Sequence, residues 1–459
     1  VRRATQGLAN YIIKQGGASK GVAIAYDSRH MSPEFADEAA RTLAANGIVA
    51  YKFESLRPTP ELSFAVRELG CIAGINVTAS HNPPEYNGYK VYWEDGAQFT
   101  PPHDKGVTEE VLAIEDLSTV KTMSASDAKA AGLYKVIGAE IDDKYIAHVK
   151  AQVVNQDAID KMQDDIKIVY TPLHGTGNIP VRRVLKEIGF THVYVVPEQE
   201  LPDGDFPTVS YPNPEAAEAF ALGLGMAKKL DADLVLATDP DADRLGVYVK
   251  DSKSGEYIPL TGFKWIGKQI LKEEQTGKGH YMFGLEESYG CLIGTYARDK
   301  DAVSASVALC EAAAYYKTRN MTLWDAMVAM YEKYGYYKDA VKAIGLKGIE
   351  GLAKIQNIME TLRKEAPARV GEYDVVSARD YKLDTIKDMK TGAVTETGLP
   401  ASNVLYYDLN DGAWVCVRPS GTEPKIKFYY GVKGTSLEDA DKKSAELGEA
   451  LMAMVDKML

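Results

Sequence analysis

Three aspartates stand at alternate positions in Thr238-Asp239-Pro240-Asp241-Ala242-Asp243-Arg244-Leu245-Gly246, directly after the apolar run Leu234-Val235-Leu236-Ala237. On an extended loop, residues i, i+2 and i+4 point to one side. Three carboxylates held together repel strongly unless a hard divalent cation neutralises them. The spacing superficially matches an EF-hand calcium loop, but Arg244 stands at the sixth position where glycine is needed, and Lys250 at the twelfth where glutamate is. A phosphatase-type nucleophilic aspartate and a solvated acidic turn are the competing readings. Direct succession to a buried strand favours a divalent metal on Asp239, Asp241 and Asp243.

A second stretch offers a nucleophile. Ser80 lies in Ile75-Asn76-Val77-Thr78-Ala79-Ser80-His81-Asn82-Pro83-Pro84, on a small-residue loop between a strand end and a Pro-Pro stop, with Lys90 downstream. Such a loop is expected to expose a reactive hydroxyl, although an ordinary turn serine would look the same. Gly284-Leu285-Glu286-Glu287-Ser288-Tyr289-Gly290 sets two carboxylates beside a hydroxyl, suited to vicinal sugar hydroxyls or equally to an acidic helix N-terminus. Arg298-Asp299-Lys300-Asp301 offers a cation to an anion, or a surface ion-pair cluster. In Arg418-Pro419-Ser420-Gly421-Thr422-Glu423-Pro424-Lys425-Ile426-Lys427, an arginine, two hydroxyls, a glycine amide and alternating lysines form an anion cradle between two strands. His174-Gly175-Thr176-Gly177 lacks the Walker and dinucleotide patterns and reads as structural. Arg29 in Asp27-Ser28-Arg29-His30 reads as a buried ion-pair residue.

These loops need a scaffold. A chain of 459 residues exceeds what one core supports and predicts three or four domains. An apolar fraction of 45% with 26% charged residues is that of a soluble globular protein, and no apolar run approaches the ~18 residues of a membrane span. The net charge of -12 argues against a nucleic-acid surface and leaves an anionic small substrate only where basic residues gather locally. Four scattered cysteines, Cys71, Cys291, Cys310 and Cys416, predict buried free thiols in a reducing, cytoplasmic compartment. The start, Val1-Arg2-Arg3, has neither Met nor an apolar h-region, so a beginning inside a longer reading frame and no signal peptide are expected.

Strands are expected at 22–26, 48–53, 72–77 and 90–93, with a hairpin-type turn at Glu94-Asp95-Gly96. Helices are expected at 5–14, from Ser32 as N-cap with Pro33 following, and at 59–69. A second alternation follows: a helix near 142–155, strand 166–170, helix 179–188, strand 193–196, a proline-rich irregular stretch 201–214, helix 215–229 and strand 234–237. Helices near 262–276, 302–318, 323–334 and 348–364 make a helix-rich third region. Short strands then end in an amphipathic helix with Leu437, Ala440, Leu447, Leu451, Met454 and Met458 on one side. The expected domains are 1–145, 146–252, 253–366 and 367–459. Their class is α/β: three α/β domains with mixed sheets, plus a C-terminal α+β domain, around a central cleft.

Taken in order, the four loops resemble those of the α-D-phosphohexomutase superfamily, most closely its phosphoglucomutase and phosphopentomutase-like branch. Thr78-Ala79-Ser80-His81-Asn82-Pro83 is similar to the family's phosphoserine loop, Asp239 to Arg244 to its magnesium loop, Gly284 to Gly290 to its sugar loop and Arg418 to Thr422 to its phosphate loop. The resemblance implies a phosphoserine on Ser80 and Mg²⁺ held by Asp239, Asp241, Asp243 and a phosphoserine oxygen. Arg244 would steady the same oxygens, and His81 and Lys90 would be the proton-transfer candidates. It further implies Glu286 and Ser288 on sugar hydroxyls, with Lys300, Arg418, Ser420, Gly421, Thr422 and Lys427 on the substrate's other groups. The activity implied is exchange of glucose 1-phosphate and glucose 6-phosphate through glucose 1,6-bisphosphate. A phosphopentomutase, a hexose-bisphosphate synthase and a non-catalytic phosphosugar-binding protein are the alternatives. The partner is a small phosphosugar, with neither nucleic acid nor membrane. The family's N-terminal Gly-Thr-x-Gly-x-Arg-Gly loop, with an arginine that reaches the active site, is absent. The interval from Gly246 to Gly284 is also short; the alternatives are a shortened variant and, the favoured reading, segments of a longer parent chain that are missing from this sequence.

Overall fold

A computed structural model describes residues 1–250, 257–258, 283–285, 290–346, 348–399, 401–420 and 425–458. The helix expected near 262–276 and the loop residues Glu286, Ser288, Gly421 and Thr422 lie outside them. The chain folds as two units, Val1–Ala326 and Met327–Leu459.

In the first unit, two five-stranded mixed sheets follow from the two sequence alternations. The first runs in the order Tyr89–Trp93, Ala73–Val77, Val22–Tyr26, Ala50–Phe53, Tyr134–Ile137. Only Tyr89–Trp93 is antiparallel to its neighbour. Val22–Tyr26 and Ala73–Val77 are buried at every position, which is why both read as short apolar runs without alternation. The second sheet runs Tyr257–Ile258, Leu245–Lys250, Leu234–Thr238, Lys167–Thr171, His192–Val195, with its last three strands parallel. Both sheets share one apolar core: Phe53, Leu62 and Tyr92 join through Tyr170 and Leu236 to Val303 and Cys310 of the helix Ala302–Lys317.

In each sheet the connections diverge on either side of one central strand. Chain-adjacent strands flank Val22–Tyr26 and Lys167–Thr171 on opposite edges, which creates a crevice at their carboxyl ends, the place where open α/β sheets bind ligands. In the first sheet the loops at that crevice are Asp27–Met31 and Thr78–Ser80. In the second they are Pro172–Gly177 and Asp239–Asp243. The candidate nucleophile and the candidate metal loop therefore occupy equivalent places in two consecutive sheets.

Some local expectations change. Ser32 begins the helix Ser32–Ala45 but does not cap it; its hydroxyl donates to Asp27 Oδ1 at 3.0 Å, and Met31 enters the helix with φ 63°. The helix expected at 215–229 is a short 3-10 turn, Ala217–Phe220, followed by Ala221–Leu230. Cys71 and Cys310 are buried, whereas Cys291 and Cys416 are only half-buried; all four are free thiols. No helix among the described residues is long and apolar enough to cross a membrane.

The second unit is an antiparallel sheet in the order Tyr336–Gly345, Lys425–Gly434, Trp414–Pro419, Leu405–Leu409, Tyr373–Asp380, Thr385–Asp388, Val394–Thr395. The strand Tyr336–Gly345 is not expected from the sequence. It pairs with Lys425–Gly434 along its whole length, so this unit draws on residues well before 367. The final helix, Leu437–Asp456, buries Ala440, Leu447 and Leu451 as its periodicity predicts, with Val455 rather than Met454 completing the stripe.

The two crevice loops of the second sheet touch through a glycine. Thr176 N donates to Pro240 O at 2.8 Å, and a Cβ on Gly175 would come within 2.4 Å of Pro240 Cα. Backbone cannot yield as a flexible side chain would. Gly175→Ala is expected to destabilise the first unit by about 1–3 kcal/mol, the usual cost of overpacking, and to lower its thermal midpoint in a calorimetric scan.

Candidate active site

Ser80 and Asp239 come from different sheets and meet. Ser80 Oγ donates to Asp239 Oδ2 at 2.8 Å across 159 positions of chain, and lies 3.2 Å from His81 Nδ1. Ser80 has φ 53°, in the left-handed region that non-glycine residues enter at a cost. It is not the exposed hydroxyl its loop predicts: only 9% of its surface is accessible, because the loop folds back over Arg29.

Arg29 is wholly buried, and its guanidinium organises the nucleophile loop. Its two terminal nitrogens donate to the carbonyls of Ser80, Asn82, Pro83 and Tyr86 at 2.5–2.9 Å. Its Nε lies 3.3 Å from Asp27 Oδ2, and its Cζ sits over the Phe206 ring, 5.0 Å from the centroid. Asp27 is itself tied down: its carboxylate accepts from the hydroxyls of Thr78 and Ser32 and from Arg29 N. Burial pushes Asp27 up to about 6 against the pull of Arg29. The Thr78 hydroxyl also accepts from Ser80 N at 2.8 Å, which completes the turn.

The three metal-loop carboxylates converge as expected, each offering an oxygen within 4.8 Å of the others, and all are buried. They do so through a turn rather than an extended stretch. Ala242 N donates to Asp239 O, and Ala242 takes φ 49°. Asp239 Oδ1 accepts the amides of Asp243 and Arg244, while its Oδ2 takes Ser80. Asp241 Oδ2 accepts Lys90 Nζ at 2.8 Å and the Thr59 hydroxyl at 2.6 Å. Asp243 Oδ2 pairs with Lys300 Nζ at 2.9 Å. Asp241 Oδ1 and Asp243 Oδ1 are buried without a hydrogen-bond partner.

The electrostatics follow from this crowding. Burial and the charges of Asp243 and Asp241 push Asp239 well up. Burial and Asp241 also raise Asp243. Burial would raise Asp241 too, but Lys90, Thr59 and Lys300 outweigh it and hold this carboxylate below the usual range. Burial lowers Lys90 less than Asp241 and Asp243 raise it, so its ammonium is retained. Three buried oxygen donors that cannot all carry charge unaided, two of them with a free oxygen, fit a hard divalent cation such as Mg²⁺.

The other expected residues are placed as follows. Arg244 donates to Glu215 Oε1 at 2.9 Å, and its Nε lies 3.7 Å from Asp243 Oδ1. The 298–301 cluster is not a surface feature. All four residues are buried, Lys300 spans Asp243 and Asp299, and Asp301 caps the helix Ala302–Lys317 by accepting Val303 N and Ser304 N. His174 bonds Leu201 O and Thr208 Oγ1 and is structural. In the second unit, Arg418 and Lys427 stand directly opposite each other on the paired strands Trp414–Pro419 and Lys425–Gly434, and Ser420 N donates to Lys425 O. Like charges at a cross-strand pair are unfavourable unless an anion bridges them. Thr59, Thr78 and Asp27 are site residues the sequence does not announce. Thr59 lies in Arg57-Pro58-Thr59-Pro60, which reads only as a helix start.

The Arg29 contacts give a direct test. A lysine has no planar fork to serve four carbonyls. Arg29→Lys is expected to raise hydrogen exchange across residues 80–88 while the strand Ala73–Val77 stays protected, and to lower activity in the same samples. Unchanged exchange in that loop would contradict the organising role.

Comparison with known proteins agrees with this architecture. Family models for phosphoglucomutase/phosphomannomutase match in order: α/β/α domain I at residues 1–118, domain II at 143–255, domain III at 240–334 and the C-terminal domain at 375–445. A phosphoglucomutase of Staphylococcus saprophyticus subsp. saprophyticus is 33% identical over 489 aligned residues, covering 96% of this chain and 87% of the relative. One from Staphylococcus epidermidis is 33% identical over 481, covering 94% and 86%. Among solved structures, the phosphoglucomutase pp63/parafusin from Paramecium, in its open form, matches with a TM-score of 0.67 at 16% identity, covering 98% of this chain and 91% of that one. A phosphoglucomutase/phosphomannomutase family protein from Burkholderia thailandensis gives 0.65 at 19%, covering 98% and 93%. At those identities the structural matches speak for the fold alone. With four family domains in sequence and relatives one-third identical along nearly the whole length, this chain belongs to the phosphoglucomutase/phosphomannomutase family of the α-D-phosphohexomutase superfamily and is a phosphotransferase of the mutase type.

Proposed function

We propose that the enzyme interconverts glucose 1-phosphate and glucose 6-phosphate through a phosphoserine at Ser80, with glucose 1,6-bisphosphate as intermediate and Mg²⁺ as its metal. The observation that carries this reading is the hydrogen bond from Ser80 Oγ to Asp239 Oδ2, which joins a buried hydroxyl to a three-carboxylate cluster with free oxygens. The choice of glucose is supported by the names of the relatives, which are phosphoglucomutases. The free thiols are consistent with a reducing cytoplasm.

In the first half-reaction a sugar hydroxyl oxygen forms a bond to the phosphorus carried by Ser80, and the bond from phosphorus to Ser80 Oγ breaks. The hydroxyl proton passes to a protein base, and Ser80 Oγ recovers a proton. The bisphosphate turns over, and its other phosphoryl group returns to Ser80 by the same exchange. His81 Nδ1, at 3.2 Å from Ser80 Oγ, stands within reach of the proton that Ser80 gains and loses. Lys90 remains the second proton-transfer candidate and holds Asp241 meanwhile. Asp239, Asp241 and Asp243 would hold Mg²⁺, whose charge neutralises that growing on the transferred phosphoryl oxygens. Arg244 would support the same oxygens. Glu286 and Ser288 are assigned to sugar hydroxyls. Arg418, Ser420, Gly421, Thr422 and Lys427 are assigned to the phosphate that does not react, whose binding orients the other end.

Two measurements test this. Peptide mapping of the wild-type enzyme is expected to find phosphate on Ser80, and Ser80→Ala should lose both that phosphate and turnover of glucose 1-phosphate in a coupled assay. Phosphate on another residue, or activity in the variant, contradicts the nucleophile assignment; faster turnover of ribose 1-phosphate would favour a phosphopentomutase. Separately, Arg418→Ala is expected to raise KM by about tenfold or more, because charge-assisted hydrogen bonds to phosphate are the strong ones. Its phosphoserine content should stay at the wild-type level.

A further inference from the structure

Thr59 is the first residue of the helix Thr59–Glu68, and it is completely buried. Its amide, one of the donors a helix start leaves unpaired, donates to Asp241 O at 2.8 Å. Its hydroxyl donates to Asp241 Oδ2 at 2.6 Å and accepts from Asn76 Nδ2, also at 2.6 Å. Asn76 lies in the strand Ala73–Val77 that delivers Ser80. One side chain thus ties the nucleophile strand of the first sheet to the metal loop of the second.

The direction of this relay is fixed by charge. A threonine hydroxyl has one proton. Asp241 offers only acceptors, so the proton points to the carboxylate and Asn76 must present its NH₂ to the oxygen. With the opposite amide orientation, an acceptor would face an oxygen that has no second proton to give. Asp241 is therefore gripped at its carbonyl and at Oδ2, by Thr59 at both points, while its Oδ1 stays without a hydrogen-bond partner.

We infer that Thr59 is a positioning residue for the divalent-cation site: by holding Asp241 at two points it fixes the carboxylate's rotation and leaves Oδ1 for the metal. The inference rests on the metal reading of Asp239, Asp241 and Asp243. Partners that orient a ligating carboxylate typically contribute 10–100-fold in metal affinity. Val removes the hydroxyl at nearly the same volume, whereas Ser keeps it.

The test is a titration of the full chain with Mn²⁺, followed by the paramagnetic resonance signal of the free ion. Wild type is expected to bind one Mn²⁺ per chain. Thr59→Val should weaken that binding by about tenfold or more, while Thr59→Ser stays close to wild type. In the coupled assay, the rate lost in Thr59→Val should be largely restored by raising Mg²⁺, which a general packing defect would not allow. Thr59→Ala serves the same comparison with Thr59→Ser if the valine variant does not fold. Wild-type Mn²⁺ affinity in the valine and alanine variants overturns the inference, and so does an equal loss in the serine variant, which would point to the methyl group. A wild-type chain that binds no Mn²⁺ overturns the metal reading itself, and the wild-type titration alone separates that failure from the others.

Discussion

Three buried carboxylates within 4.8 Å of one another are the constraint around which the first unit is arranged. At such separations in a low-dielectric interior, their repulsion is far larger than in water. Every neighbour can be read as a response to it. Lys90 and Lys300 bring ammonium groups to Asp241 and Asp243. Two backbone amides and the Ser80 hydroxyl donate to Asp239. The loop that achieves this convergence carries Ala242 at φ 49°, and the loop opposite carries Ser80 at φ 53°. Strained residues persist where the surroundings over-determine them, and the continuous core beneath both sheets supplies that rigidity.

The same logic explains why the nucleophile loop is built on an arginine. A loop that must put Ser80 against a carboxylate cannot rely on its own turn geometry, because its carbonyls would otherwise be left to water. Arg29 gathers four of them at once, and Asp27 compensates the charge. In a chain of net charge -12, basic groups are thus spent at defined places: Arg29 under Ser80, the lysines at the aspartates, and, in the second unit, the cross-strand pair Arg418 and Lys427.

Much of this is legible in the sequence, for stated reasons. Asp239, Asp241 and Asp243 are legible because like charges at short spacing after a buried strand demand a neutralising partner. The strands Val22–Tyr26 and Ala73–Val77 are legible as apolar runs, since burial on both faces removes alternation. What stays hidden depends on contacts distant in sequence. Thr59 looks like a helix start because its partners are 17 and 182 positions away. Ser32 looks like an N-cap because the sequence cannot reveal that Asp27 competes for its hydroxyl. The cluster at 298–301 looks like a surface because four charged residues in a row usually are, and only the fold shows that Asp243 and the helix Ala302–Lys317 bury them. The strand Tyr336–Gly345 is hidden because its partner, Lys425–Gly434, lies far along the chain.

The most direct test of the central claim is an anomalous difference map from crystals soaked in Mn²⁺. One strong peak is expected, bonded to carboxylate oxygens of Asp239, Asp241 and Asp243 beside Ser80, with Asp241 contributing Oδ1. A soaked crystal with no peak there would contradict the metal reading.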